Sequence, residues 1–125
     1  MSQEFETLFD RIRPMFAAHA AAAVPKRDEA GVYYLDTHEV REKDGYRTGF
    51  GGVEIKKNYV SAHFFPAYTD PQLIEEISEP LRKRMQGKSC FNFKKLDEPL
   101  LAELNRLIET GAELYKQQGR LLQPR

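Results

Sequence analysis

The sequence predicts an α+β fold: a two-layer sandwich in which a mostly antiparallel sheet of about five strands carries its helices on one face. Three observations predict it. Gly51 to Phe65 reads as two adjacent strands, Val53 and Ile55 alternating with Glu54 and Lys56, then Val60, Ala62 and Phe64 alternating with Ser61, His63 and Phe65 across a Lys57-Asn58 turn. Phe91 and Phe93 alternate with Cys90, Asn92 and Lys94 in the same way. Apolar residues at helical spacing occupy both ends of the chain, and the strands between them follow one another through short connections.

Phe5, Leu8, Phe9, Ile12, Met15 and Phe16 recur at helical spacing, which gives an amphipathic helix from residue 3 to about 22 that Pro14 kinks or delays. The alanine-rich run up to Val24 has helix propensity but little apolar bulk, and the chain turns at Pro25-Lys26-Arg27-Asp28. Val32 to Glu39 is β-rich. Asp44-Gly45 is a hairpin signal leading into Tyr46 to Phe50. Strands over 46–56 and 59–65 follow, with Gly49, Gly51 and Gly52 marking a bulge or a close backbone approach.

Asp70 caps a helix with Pro71 at its first position and Leu73, Ile74, Ile77, Leu81 and Met85 on its apolar stripe. Ser78-Glu79-Pro80 breaks or kinks it, Ser78 recaps its second half, and Gly87 ends it. After a strand over 89–94, Asp97 caps a last helix from about 98 to 118 that buries Leu100, Leu104, Leu107, Ile108 and Leu114 or Tyr115. Residues after Gly119 read as a loose tail. The element order is α-β-β-β-β-α-β-α, in a single domain over 1–125.

Composition excludes several functions. The 125 residues suit one domain, and 41% hydrophobic content supplies one core. Lys+Arg and Asp+Glu are 19 each, so no global field favours nucleic acid or an anionic membrane. No run of about 18 apolar residues offers a membrane span, and the acidic N-terminus does not resemble a signal peptide. A single cysteine, Cys90, excludes an internal disulfide and a multi-cysteine metal site. The expected compartment is the reducing cytoplasm.

Candidate chemistry concentrates on the sheet face opposite Val60, Ala62 and Phe64. His63 lies there, with Asn92 and Lys94 as neighbours and Glu54 and Lys56 in range. Tyr33, His38, Tyr59, His63, Asn92 and Lys94 are the candidate contacts for a small ligand or a protein partner. Asp36 and His38 share a strand face, and with His63 they are the candidate ligands of a metal ion. No catalytic residue is assigned. A small hydrolase or transferase would use His63 or Cys90, but no Cys-His spacing identifies a positioned base. Arg82, Lys83, Arg84, Lys88, Lys94 and Lys95 form a basic concentration balanced by nearby acids, and alternation assigns Phe91 and Phe93 to the core rather than to a stacking platform. Gly87-Lys88-Ser89 lacks the earlier glycine of a phosphate loop and leads into a strand. Homodimerisation through the sheet face or an edge strand is a further expectation.

From Tyr46 to about Gly111 the chain resembles the YdhG-like domain family, a bacterial group of unknown function. GFGGVEIKKNYVSAHFFP, GKSCFNFKKLDEPLLAEL and the closing helix carry the resemblance, with Phe50, Val60 to Phe64, Gly87-Lys88, Phe91, Phe93 and Leu100 to Ile108 on the family pattern. The first third departs from it, having no tryptophan and reading VYYLDTHEVREKDG before the hairpin. The resemblance implies a fold similar in outline to frataxin. It also implies an alternative to the expected non-enzymatic binding domain: an iron-binding or iron-chaperone protein. The acidic ridge such a role uses is reduced here to Glu4, Glu6 and Asp10.

Overall fold

In the computed structural model, which describes residues 3–123, β-structure begins earlier than the apolar pattern predicts. The expected turn at Pro25 to Asp28 is instead β1 (Val24–Glu29), joined to β2 (Val32–Val40) through Gly31 at φ 75°. Every residue of β1 after Val24 is exposed, so no alternation betrays it. It is an edge strand, where Pro25 and a run of charges are tolerated and guard an open edge. β3 (Arg47–Ile55), β4 (Val60–Phe64), β5 (Met85–Gln86) and β6 (Cys90–Phe93) complete an antiparallel sheet of six strands in the order β1-β2-β3-β4-β6-β5. Residues 46–56 yield one strand, so four strands precede the next helix only when β1 is counted.

Helices α1 (Gln3–Ala17) and α4 (Glu98–Gln117) pack side by side on one face of this sheet, as the α+β reading requires. α1 buries Leu8, Phe9, Ile12 and Phe16, and stops at Ala17, short of the alanine run, which forms a single 3₁₀ turn at Ala20–Ala22. Asp97 caps α4 by accepting from the Leu100 N–H at 3.2 Å. The register sets Val53 opposite Tyr33 and Ala62, and Ala62 opposite Phe91, so these four side chains share the covered face. Phe50 is the centre of the core, its ring meeting Phe16 at 6.1 Å, Phe64 at 6.3 Å and Tyr115 at 6.1 Å. Such pairs add about 1 kcal/mol each beyond the area they bury.

Two further expectations are corrected. The helix from Asp70 to Gly87 does not form; after a short α2 (Pro66–Thr69) the segment holds a 3₁₀ turn (Pro71–Ile74), α3 (Glu79–Arg82) and β5. Three prolines at 66, 71 and 80 start each piece anew, and Ser78 caps α3 while donating through its Oγ to Glu103 at 2.6 Å. Met85 leaves the apolar stripe to pair with Phe91 in β5. The tail is not loose over its described part: Leu121 is 1% exposed, Arg120 accepts from the His38 N–H at 2.8 Å, and Leu122 donates to Ala22 at 3.0 Å.

Candidate functional site in the uncovered sheet face

The uncovered face contains a hollow where β3 has no side chains. In register, Gly52 lies between Tyr34 and His63, and Gly49 lies opposite Asp36. A Cβ on Gly52 would run into the Tyr33 carbonyl and the Tyr34 ring, so only glycine fits there. A Cβ on Gly49 would have ordinary room, 3.5 Å from the Phe65 ring and 3.7 Å from Asp36 Oδ1. The result is a cleft of about 350 Å³ walled by Lys26, Tyr34, Asp36, Arg47, His63 and Phe65. A second groove of about 820 Å³ shares Tyr46, His63 and Phe65 with the first and continues towards Val40, Tyr68 and Arg120.

His63 borders both. Its ring stacks on that of Phe65, the residue just past the end of β4, at 5.9 Å with 10° between the planes. Nε2 is 3.3 Å from Ser89 Oγ and Nδ1 is 3.7 Å from Cys90 Sγ. Burial, assisted by the charge of Lys26, lowers the imidazole's affinity for a proton. Burial thus favours the neutral ring of His63, which donates from one nitrogen and accepts at the other.

Charge around the cleft is arranged unevenly. Burial raises the Asp36 carboxyl from its ordinary value, against the pull of Lys26 and Arg47. Lys26 Nζ stands 3.9 Å from Asp36 Oδ1, and Arg47 donates to the Thr37 carbonyl at 3.0 Å. Arg47 has no carboxylate ion-pair partner among the described residues. Tyr34 donates to Glu54 at 3.0 Å, and burial together with that bond holds its hydroxyl protonated well above the usual range.

The residues singled out in the sequence divide among several places. His63 lies on the uncovered face, as alternation requires. Tyr33 does not: it is 5% exposed, faces the helices, and lies under the Arg13 guanidinium at 4.5 Å. Its register with Val53 puts it inside, and its neighbour Tyr34 occupies the outer position. His38 is exposed beyond an irregularity between Asp36 and Val40 and borders neither hollow. Asp36, His38 and His63 therefore do not converge, and among the described residues no three His, Cys, Asp or Glu side chains are placed to hold a metal ion. Tyr59, Asn92 and Lys94 do meet, in a separate hollow of about 300 Å³ towards the β3–β4 turn, where Asn92 Oδ1 is buried with no hydrogen-bond partner among the described residues. A hollow outside α4, bordered by Leu73, Arg106, Glu109 and Glu113, gathers helix-surface side chains and no aromatic ring.

Sequence reasoning missed Lys26, Tyr34, Arg47 and Phe65 as a set. The available signal was the glycine triplet itself, since side chains missing from one strand leave a trough between its neighbours.

An α+β domain with an uncovered, glycine-floored cleft is what the fold and site define. No family model matches the chain, and no curated protein and no solved structure is significantly similar to it. Among the described residues no helix is long and apolar enough to cross a membrane.

Proposed function

We propose that this chain is a non-enzymatic, cytoplasmic ligand-binding domain of the YdhG-like type, and that its site is the cleft between Tyr34 and His63. One observation carries the reading. The floor is made of backbone, at Gly49 and Gly51, while its walls combine rings with a few charged groups. That is the usual make-up of a small-molecule site, and the volume lies at the small end of the usual range of roughly 300–1,000 Å³.

The test is a fragment screen followed by backbone amide shifts, on wild type and on Gly49→Leu. Gly49 has no positive φ and has space for a Cβ, so leucine fills the cleft without straining the backbone. Fragments that shift Gly49, Gly51 and His63 in wild type, and no longer do so in Gly49→Leu, support the reading. A screen whose binders are indifferent to Gly49→Leu overturns it.

A second reading, a small hydrolase or transferase, is favoured by the Cys90–His63 contact at 3.7 Å. Two features weigh against it. A thiolate–imidazolium pair is one way to activate such a cysteine, and burial disfavours the charged form of His63. The other ring nitrogen meets a hydroxyl, Ser89, rather than an orienting carboxylate. The iron-binding alternative has no converged ligand set among the described residues.

A further inference from the structure

Exposed apolar side chains are not scattered over this surface. Among the described residues five large hydrophobics are exposed, and three of them border the groove next to the cleft: Val40 at 43%, Tyr46 at 48% and Tyr68 at 55%. Grouping of this kind marks a binding surface, whereas single exposed apolar residues need no explanation. Cleft and groove are also one continuous feature, because Tyr46, His63 and Phe65 border both. The rings run on without a break: His63 stacks on Phe65, and Phe65 meets Tyr68 edge-on at 5.7 Å.

The charge lies at the other end. In the groove, Arg41 is bound to Asp44 at 2.6 Å and Arg120 to Glu39 at 3.2 Å, so both are already compensated. In the cleft, Arg47 donates to a backbone carbonyl and has no ion-pair partner among the described residues, and Lys26 has a loose contact with Asp36 at 3.9 Å. An anionic group placed between Lys26 and Arg47 would gain one cation without a carboxylate partner among the described residues, Arg47, and a second, Lys26, that Asp36 holds only loosely.

We infer that the ligand is an elongated aryl or similarly flat carboxylate, its anionic head between Lys26 and Arg47 and its apolar body along His63, Phe65 and Tyr68, beneath Tyr46. This rests on the cleft being the binding site and adds the class of molecule it takes. The rings supply area and a flat wall, the glycines let the ligand approach the backbone, and the arginine fork suits a carboxylate.

The probe is 2-naphthoate, with neutral 2-naphthamide as its isosteric control, both titrated while amide shifts are followed. Naphthoate should shift Gly49, Gly51, Phe65 and Tyr68 together and bind about tenfold more tightly than the amide. Arg47→Gln and, independently, Lys26→Met should bring naphthoate towards the amide's affinity and leave the amide's own affinity unchanged. Tyr68→Ala should weaken both probes alike. Equal affinity for the two probes overturns the anionic head. Indifference to Tyr68→Ala overturns the elongated body. If fragments bind the cleft and are displaced by Gly49→Leu while 2-naphthoate does not bind at all, the ligand class is wrong and the cleft stands; if neither binds, both readings fall.

Discussion

At the scale of single residues, two histidines give the molecule an acid-sensitive range. His63 and His19 are both held below their ordinary pKa, in each case first by burial, then by a lysine, Lys26 and Lys116 respectively; Glu109 works the other way on His19. His19 Nε2 is also buried without a partner among the described residues, and its ring packs on Phe50 at 5.9 Å. A lowered folded-state pKa means that the unfolded chain binds more protons as pH falls through about 6.5, so stability falls there and levels off below the folded values. Asp36 works in the opposite sense, since its raised pKa lets the folded state gain protons first. The carboxylates held low, Glu29, Glu39, Asp44 and Glu98, act only as pH falls through the ordinary carboxylate value and below it. The urea midpoint should therefore be lower at pH 5.5 than at pH 7.5, and the double variant His19→Gln, His63→Gln should shrink that difference. An unchanged difference would place the acid sensitivity elsewhere. The outward position of His63 was legible because period-2 alternation fixes parity once one face is known to be apolar. Tyr33 was misplaced because two adjacent tyrosines look equivalent until the partner strand's register is fixed.

At the scale of elements, legibility followed apolar content. α1, β4, β6 and α4 each bury a clear stripe and formed close to where the pattern put them. β1 and β5 bury almost nothing and are held by a neighbour's backbone, so no residue pattern announced them. The broken segment from 66 to 82 failed for the opposite reason. It has a helical stripe, yet three prolines divide it and only Leu81 of that stripe is fully buried. α4 hides a different constraint in Gly111, where a Cβ would collide with the Phe64 ring. Alanine is the better helix former, but here the overlap outweighs propensity. Gly111→Ala should lose about 1–2 kcal/mol by urea denaturation, whereas an exposed helix position would gain.

At the scale of the whole molecule, the two terminal helices share one sheet face and leave the other to the cleft. That division was legible, because antiparallel runs flanked by amphipathic helices have few other solutions. The cleft was not, because it is made by an absence in β3 seen against side chains brought from β1, β2 and β4 by register. The docked tail was equally invisible, its one anchoring leucine being indistinguishable from a stray apolar residue. Ending the chain at Gln118 should cost about 2–3 kcal/mol, since it removes Leu121 from the core and frees the His38 N–H, and the urea midpoint should fall accordingly. The pairing of the first and last helices also has a consequence for synthesis. α1 is made before the strands, but α4, whose Glu98 meets Arg11 at 2.6 Å, emerges only after all six of them. At ribosomal rates that delay is on the order of ten seconds, during which the apolar stripe of α1 lacks its lateral cover. The nascent chain thus presents a chaperone-accessible surface that the finished protein does not have.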